Sequence, residues 1–392
     1  MDGVKPAVIK PNMLNAALDE QLARSSRPAS EAFCLPPAMY VDEDIATLEI
    51  DRIWRHEWIC LGRSDQCANP GDFATFDFAG QAVILLRDHD NTLKAYANSC
   101  RHRGARLLDG AGRTSGIRCS FHSWAYKLDG TLAGAPHMND VDGFCREDFG
   151  LIRYRCAERL GFAFICFADA TPDIDSALGN FPMLHADWPL ESLVSKRRQT
   201  FEVDCNWKAF LEVFNEYYHL PFVHPDSIDD VYHMPDPADE ATGNFATQFG
   251  CTEGTGGLLQ TAQDRPLPTM PGLQGRTAVG VRYSWLFPNM TFAAGSDALW
   301  IYEAYPLGAN RCNVVQTACF PLETVALPEF DILVAAYYHR LDAALAEDIP
   351  ALVNQQRGMM VPDAVQGRFQ PLLESNVASF ARWYAGLMLN PS

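Results

Sequence analysis

The sequence predicts an α+β protein in which a β-rich domain is followed by a mixed domain. Short apolar or alternating strands dominate the stretch 40–168, and a long helical pattern appears only later, over 328–356. At 392 residues the chain is long enough for two domains of ordinary size. We therefore expect an N-terminal arm over 1–39, the β-rich domain over 40–168 and a second domain over 169–392.

In the first half of the chain, helical and strand periodicities alternate with turn signals. The predicted elements are helical patterns over 14–23 and 40–57 and strands over 73–78, 82–86 and 160–168. The dipeptide Asp129-Gly130 between two apolar segments predicts a β-hairpin. The apolar run 160–168 is too short to span a bilayer, so we interpret it as a buried strand.

The second domain combines helices and long strands. Its predicted elements are helices over 207–220 and 328–356 and strands over 282–294 and 299–320, with a hairpin at 307–311. The segment 229–270 is rich in Gly, Pro, Asp and Thr, which predicts a long loop over a site.

Charge and cysteine content exclude several classes of partner. Lys and Arg number 31 against 49 Asp and Glu, a net charge of −18, so nucleic acid and an anionic membrane are not expected partners. The twelve cysteines are irregularly spaced, which suits a reducing compartment better than a disulfide framework. The first 20 residues lack the apolar core of a signal peptide, so we expect a cytoplasmic protein.

Two cysteines and two histidines form the first candidate metal site. Cys100 and His102 follow the pattern C-x-H, and sixteen residues later Cys119 and His122 follow C-x-x-H. Each half supplies one thiolate and one imidazole, as a 2Fe–2S cluster requires when one iron takes two Cys and the other two His. From the residues alone, a zinc site and a pair of buried cysteines beside unrelated histidines remain as alternatives.

A second candidate metal site lies in the second domain. Glu212, Glu216 and His219 recur at helical spacing, which places them on one face of a helix that Pro221 would end. His224 follows in the next turn, so two imidazoles could converge on one metal. A carboxylate as third ligand would complete the facial triad of non-haem Fe(II) oxygenases.

Asp348 is the candidate for the third ligand. It shares the apolar face of the late helix, where a carboxylate is costly unless it is paired or bound to a metal. By the same helical spacing, Glu347 is expected to point elsewhere, with Arg340 and Asn354. Pairing of Asp348 with a basic residue is the alternative.

These motifs resemble the Rieske-type non-haem iron oxygenases, α-subunit type, over nearly the whole chain from about residue 40. The residues that match the first motif of the family are Cys100, His102, Arg103, Gly104, Cys119, His122, Trp124 and Tyr126. In the family an Asp within a Glu-Asp pair upstream of a Gln is the late iron ligand, here Asp348 in Glu347-Asp348 with Gln355 downstream. The sequence departs at Ser123, where the family usually has Gly, and at Glu212, where it usually has Asn.

The resemblance implies a β-rich Rieske 2Fe–2S domain and a catalytic domain with a curved antiparallel sheet around a long helix, of the helix-grip type. It implies a 2Fe–2S cluster, a mononuclear Fe(II) held by His219, His224 and Asp348, and O2 as co-substrate. NAD(P)H would act only through a separate reductase of flavin or ferredoxin type. A homotrimer, or a multiple of it, is implied, in which Glu216 bridges the mononuclear site to His122 of a neighbouring subunit.

The substrate is predicted only as a class. A Glu at position 216 is typical of family members similar to choline and betaine oxygenases, which favours monooxygenation and N-demethylation of a quaternary ammonium or betaine substrate. Candidate cage and pocket residues are Phe210, Phe214, Tyr217, Tyr283, Trp285, Trp300 and Tyr302. Glu212 would order the bridge that Glu216 forms between the mononuclear site and His122, or it would act as a counter-charge to a cationic substrate.

Two alternatives remain. One is an aromatic substrate that is hydroxylated on the ring or O-demethylated in an apolar pocket built from the same aromatic residues. The other belongs to a different class: an electron-transfer or zinc-binding protein without an active mononuclear site.

Overall fold

The N-terminal part of the chain lies against its C-terminal part. The computed structural model describes residues 14–260 and 263–390, so the first thirteen residues of the predicted arm lie outside the described residues. The predicted helix over 14–23 is α1 (Ala16–Ser25), whose first turn is capped by the Asn15 side chain. Phe33 pairs with Arg368 in a β-bridge, which ties the arm to a segment more than 300 residues later.

The helical pattern predicted over 40–57 is divided into short pieces. They are α2 (Ala38–Val41), α3 (Glu43–Glu49) and a π-helical turn over Ile50–Trp54. Asp42 separates the two helices because its own backbone is extended, while its side chain accepts hydrogen bonds from the first N–H groups of α3.

The β-rich region forms two antiparallel sheets. Its strands are β1 (Ile59–Arg63), β2 (Asp72–Phe78), β3 (Gln81–Arg87), β4 (Leu93–Ala97), β5 (Ala111–Arg113), β6 (Ile117–Arg118), β7 (Ala125–Tyr126), β8 (Leu132–Gly134), β9 (Arg153–Arg159) and β10 (Phe162–Cys166). Seven strands follow the order β1-β10-β9-β4-β3-β2-β5, and β6, β7 and β8 form a small second sheet. The predicted hairpin at Asp129-Gly130 joins β7 to β8.

The strand predicted over 160–168 begins later than expected. Leu160 and Gly161 both have positive φ, 54° and 74°, so they form the turn between β9 and β10. The buried strand therefore starts at Phe162.

A second, six-stranded antiparallel sheet forms the centre of the other domain. The elements of this domain are α4 (Ile174–Leu178), α5 (Phe181–Leu184), β11 (Leu193–Val203), α6 (Trp207–Phe214), α7 (Leu220–Val223), β12 (Phe245–Cys251), β13 (Gly280–Leu286), β14 (Met290–Ala294), β15 (Leu299–Pro306), β16 (Cys312–Pro321), α8 (Leu322–Val325), α9 (Phe330–Met359) and α10 (Ser375–Leu389). The strand order is β11-β16-β15-β14-β13-β12. The segment 229–270 is therefore not all loop, since it contributes the edge strand β12. Within the described ranges, no helix is both long enough and apolar enough to cross a membrane.

Both faces of this sheet are covered, which confirms the predicted α+β class. On the inner face Trp285 stacks on Phe380 of α10, with ring centroids 4.0 Å apart. On the outer face Phe292 packs against Phe162 of the β-rich domain at 5.8 Å and against Phe181 of α5 at 5.9 Å. The helices α6 and α9 also lie on the inner face, so any cleft between helices and sheet opens there.

The two domains are joined through β1 and the strand pair β14–β15. The Asn289 side chain exchanges two hydrogen bonds with the backbone of Cys60, at 3.0 and 2.9 Å. Gly62 has φ +84°, and a Cβ there would come within 2.6 Å of an oxygen of Glu303, which is fully buried. Glycine is therefore required at this position by both backbone conformation and space.

We expect Gly62→Ala to destabilise the protein more than Gly80→Ala does. Both glycines have positive φ, which costs an alanine about 1 kcal/mol, but a Cβ at Gly80 meets nothing within 4 Å. The clash with Glu303 adds about 1–3 kcal/mol. Thermal denaturation of the two variants checks this, and equal losses would contradict the proposed fit at the domain junction.

Candidate metal centres

Three of the predicted ligands meet on the inner face of the sheet. The short helix α7 lies between two of them: His219 precedes it, His224 follows it, and their ring centroids are 5.0 Å apart. Asp348 comes from α9, and its Oδ1 lies 2.9 Å from Nε2 of His224 and 3.6 Å from Nε2 of His219. One donor atom from each side chain lies within 4.8 Å of the others.

Two further carboxylates orient the imidazoles. Nδ1 of His219 is hydrogen-bonded to Glu216, and Nδ1 of His224 lies 2.6 Å from Oε2 of Glu347. The Ser227 hydroxyl donates to the same Glu347 oxygen at 2.7 Å. Because a carboxylate only accepts, Nδ1 of each ring carries a proton, so in the neutral imidazole Nε2 has the lone pair that binds a metal. Both Nε2 atoms face Asp348.

This donor set fits a mononuclear iron. Asp348 Oδ1 is buried, and no hydrogen bond reaches it within the described part of the chain. Its close approach to His224 therefore brings two lone pairs together, an arrangement that a cation between them would stabilise. Two imidazoles and one carboxylate are the ligands of non-haem Fe(II) sites. Asp348 forms no ion pair with Lys or Arg among the described residues.

The helix that precedes the triad ends earlier than predicted. α6 stops at Phe214, so Glu216 and His219 lie beyond it and do not share a helical face with Glu212. The cause is Asn215, whose side-chain amide donates to the Leu211 carbonyl at 2.7 Å and to the Thr291 hydroxyl of β14 at 2.9 Å. Pro221 lies inside the first turn of α7 and does not end the longer helix.

Glu212 does not face the triad, contrary to the sequence prediction of a pocket residue. It accepts a hydrogen bond from the Tyr40 hydroxyl at 2.7 Å and lines a separate cavity that is partly open to solvent. The pKa of Glu212 is raised to about 7, chiefly by burial. The hydrogen bond from Tyr40 and the charge of Lys208 oppose this rise in pKa, and the nearby Glu374 adds to it. Glu216 lines this cavity as well as the cleft of the triad, so it lies between the two spaces.

The predicted orientation of Glu347 and Arg340 on α9 is wrong. Glu347 reaches His224, and Arg340 lines the same cleft as Ala344 and Asp348. Arg340, Ala344 and Asp348 follow one another at intervals of four, which places them side by side on the helix, and the long Glu347 side chain reaches beyond the face on which its Cα lies. The adjacency of Glu347 to Asp348 was the available signal for its role.

An aromatic cleft of about 450 Å³, partly open to solvent, adjoins the triad. Four of the predicted aromatic residues line it: Phe214, Tyr217, Tyr283 and Tyr302. The other three lie outside it, because Phe210 packs beneath Tyr302, Trp285 packs under α10 and Trp300 lies below the guanidinium of Arg340. They belong to the core that supports the cleft.

The four predicted cluster ligands lie on two loops of the β-rich domain. Cys100 and Cys119 are buried, whereas the rings of His102 and His122 lie nearer the surface with centroids 4.6 Å apart. His102 also stacks on the buried Trp124 at 4.9 Å. Two thiols on the inside and two imidazoles on the outside suit a 2Fe–2S cluster in which one iron takes both cysteines and the other takes both histidines.

Hydrogen bonds on these loops favour thiolates. The Tyr126 hydroxyl accepts from the Arg101 N–H at 3.0 Å and lies 3.3 Å from Sγ of Cys100, to which it can donate. Burial raises the pKa of the Cys119 thiol, but the backbone N–H groups of Phe121 and His122, together with a hydrogen bond to Cys100, outweigh this and lower it overall. Thiolate is the form that binds iron.

Ser123 takes the backbone conformation for which its family position usually has glycine. Its φ is +58°, and its N–H donates to the Cys119 carbonyl at 3.1 Å. Gly104 forms the equivalent turn on the other loop, with φ +73° and a 2.9 Å hydrogen bond to the Cys100 carbonyl. The serine therefore closes the turn at some cost in backbone strain.

Comparison with known families identifies both domains. Residues 57–145 match the family described as the Rieske [2Fe–2S] domain, and residues 190–390 match the ring hydroxylating alpha subunit, catalytic domain. The chain therefore belongs to the Rieske-type family of ring-hydroxylating oxygenase α subunits.

Curated relatives and solved structures agree with this assignment. The carnitine monooxygenase oxygenase subunit of Acinetobacter baumannii is 30% identical to this chain, over 84% of this chain and 85% of the relative. The carnitine monooxygenase oxygenase subunit of Escherichia coli K12 is 31% identical, over 56% of this chain and only 59% of the relative. The glycine betaine monooxygenase oxygenase subunit of Pseudomonas aeruginosa PAO1 is 25% identical over 93% and 91% of the two chains. A solved quaternary ammonium Rieske monooxygenase matches the fold with a TM-score of 0.79 at 23% identity, over 96% of this chain and 99% of the other.

We expect Asp348→Ala to lower the iron content from about three to about two per chain while the visible spectrum of the cluster remains. The variant removes one donor from the triad and leaves the cluster loops unchanged. Asp342→Ala is the control on the same helix, because Asp342 is half exposed and pairs with Arg197. Three irons in Asp348→Ala would contradict the assigned ligand.

Proposed function

We propose that the protein is the oxygenase component of a monooxygenase that oxidises an N-methyl group of a quaternary ammonium or betaine substrate. The observation that carries this proposal is the group of aromatic rings beside the triad. Phe214 lies 4.7 Å from Tyr302 and 5.3 Å from Tyr283, and Tyr217 lies 5.6 Å from Tyr283, measured between ring centroids. Glu216 adds a carboxylate to the same cleft, whereas the charge of Asp348 would be taken up by the iron that it binds.

Aromatic faces and carboxylates suit a trimethylammonium group. The negative π face attracts a methylated cation that has no N–H to donate, and the attraction grows as water is excluded. The relatives named for carnitine and glycine betaine act on substrates with this group. An uncharged aromatic ring would gain from the apolar rings but not from the carboxylate.

The metal groups supply the redox chemistry when bound: dioxygen activation at the mononuclear iron and electrons from the 2Fe–2S cluster. The residues of the chain orient both imidazoles, hold the ammonium against the aromatic rings and keep water from the reacting methyl group. One oxygen atom enters a methyl C–H bond and the other leaves as water, with two electrons and two protons consumed. The N-hydroxymethyl product then collapses to a tertiary amine, formaldehyde and a proton.

The proposal includes a separate reductase of flavin or ferredoxin type that takes electrons from NAD(P)H. Dinucleotide-binding domains are built on parallel sheets with a glycine-rich turn at a helix N-terminus. All strand pairs in the sheets of the described residues are antiparallel. The short glycine-rich stretch 254–257 lies in a loop.

We also propose a homotrimer, or a multiple of it, in which Glu216 connects the triad of one subunit to His122 of the next. Each centre has exposed aromatic side chains beside it: Phe121 at the cluster, 61% exposed, and Tyr218 and Phe222 at the triad, 51% and 75% exposed. Exposed aromatic residues at both centres favour a contact between subunits. In residues 14–260 and 263–390 of one chain, no hydrogen bond joins the two centres.

We expect the protein, supplied with a matching reductase and NAD(P)H, to turn over glycine betaine, carnitine, choline or proline betaine with release of formaldehyde. Trimethylated cations fit the cleft better than neutral rings because of the aromatic faces and the carboxylate. Product analysis by mass spectrometry and a formaldehyde assay checks this. Oxidation of benzoates or methoxybenzoates, with no turnover of the quaternary amines, would contradict the proposed substrate class.

We expect activity to return when two inactive variants assemble together. Cys100→Ser removes the cluster and Asp348→Ala removes the mononuclear iron, so neither homo-oligomer turns over substrate. Oligomers that contain both variants place an intact cluster beside an intact triad across a subunit boundary. Co-expression with two affinity tags and sequential purification isolates them, and inactive mixed oligomers of normal size would contradict electron transfer between subunits.

A further inference from the structure

We infer that Arg340 is a specificity-determining residue that binds a carboxylate of the substrate. The inference rests on the proposed function and narrows it: the substrate is a zwitterion whose ammonium lies near the triad and whose carboxylate lies at the opposite end of the cleft.

Arg340 is a buried cation with few partners. It is only 3% exposed and belongs to the lining of the cleft. Its guanidinium lies 5.0 Å over the ring of Trp300, and its Nη2 donates to the Tyr232 hydroxyl at 2.7 Å. Its Nε is buried without a hydrogen-bond partner within the described residues.

The Tyr232 hydroxyl does not neutralise this charge. It already accepts from Tyr283 at 3.0 Å and donates to the Gly256 carbonyl at 3.2 Å, so it acts as a neutral hydroxyl. A guanidinium has five N–H donors in a planar fork. Most of those of Arg340 remain available, and a carboxylate could take two of them in parallel.

Among the described residues, other buried or largely buried basic side chains face a carboxylate or several carbonyls, although Nε of Arg63 and Nε of Arg282 also lack a hydrogen-bond partner. Lys208 lies 2.6 Å from Glu49, Arg87 lies 2.8 Å from Glu158, and Arg282 pairs with Asp239. Arg63 donates to the backbone carbonyls of residues 160, 190 and 193. A buried charge without a counter-ion is costly. Arg63 compensates with three carbonyls, whereas Arg340 has one hydroxyl partner and lines the cleft, where an anion from outside can reach it.

The arrangement along α9 gives the cleft two ends of opposite charge. Arg340, Ala344 and Asp348 all line it. Eight residues of helix separate the first Cα from the last by about 12 Å. An ammonium is repelled by Arg340 and attracted to the Glu216 carboxylate and the aromatic rings, whereas a carboxylate is attracted to Arg340. A betaine satisfies both ends, and choline satisfies only one.

The test compares carboxylates with their uncharged carboxamides. Glycine betaine, γ-butyrobetaine and 4-methoxybenzoate, each beside its carboxamide, are assayed with the holoenzyme and Arg340→Gln. For the betaine that is turned over, we expect a preference for the carboxylate of about 100-fold or more in kcat/KM. Arg340→Gln should abolish this preference. The kcat/KM for the carboxylate should fall by a factor of similar size, and the kcat/KM for the carboxamide should change little.

Two variants and one binding measurement separate recognition from stability. Arg340→Lys keeps the charge but not the fork, so it should retain part of the preference. Arg282→Gln is the control, a largely buried arginine, with its side chain 13% exposed, that is stacked on aromatic rings, has its own carboxylate and lies outside the cleft. It should keep the wild-type preference. Binding is measured without reductant as the rise in Tm with added ligand. In Arg340→Gln the carboxylates should no longer raise Tm, whereas the effect of the carboxamides on Tm should be unchanged.

Each outcome distinguishes the inference from the proposed function. Equal effects of Arg340→Gln on carboxylate and carboxamide, in turnover and in Tm shift, would overturn the inference while N-demethylation stands. If only methoxybenzoate is turned over and Arg340→Gln selectively removes that activity, the proposed substrate class fails and the carboxylate site stands. If neither compound of any pair binds or is turned over by the wild type, both proposals are wrong.

Discussion

Three atoms that can bind a metal converge on the inner face of the sheet, and the catalytic domain depends on that convergence. Nε2 of His219, Nε2 of His224 and Oδ1 of Asp348 face one another because the protons of both imidazoles are held on the opposite side by Glu216 and Glu347. When both imidazoles are neutral this arrangement brings lone pairs together, which a bound cation stabilises. A two-histidine, one-carboxylate set in this geometry suits an iron with open positions.

The rest of the domain explains how this arrangement is held. The four residues of α7 fix the spacing of the two histidines, and α9 brings Glu347 to His224 from 123 residues later, together with Asp348. Both faces of the six-stranded sheet are buried, one under α6, α9 and α10 and the other against the β-rich domain. The cleft can therefore form only where side chains leave space on the inner face, beside the triad.

Much of the site is predictable from the sequence because it is encoded in local spacing. The C-x-H and C-x-x-H pairs, the two histidines around residue 220 and the acidic pair at 347–348 are recognisable without a fold. The end of α6 is not predictable, because it depends on the hydrogen bond from Asn215 to Thr291, which is 76 residues away. The aromatic residues could be named but not sorted: Tyr283 and Trp285 share a strand face, yet only the first reaches the cleft. The predicted orientations of Glu347 and Arg340 are also wrong, because side-chain length and tertiary partners decide where these two side chains point.

The central claim is that one chain carries both a Rieske cluster and a mononuclear iron. Iron and acid-labile sulfide analysis of anaerobically purified protein, together with its visible and reduced-state EPR spectra, tests it most directly. We expect about three irons and two sulfides per chain with a Rieske signal. About two irons and two sulfides would leave the triad without iron and favour an electron carrier. Stoichiometric zinc without sulfide or colour would contradict both metal assignments.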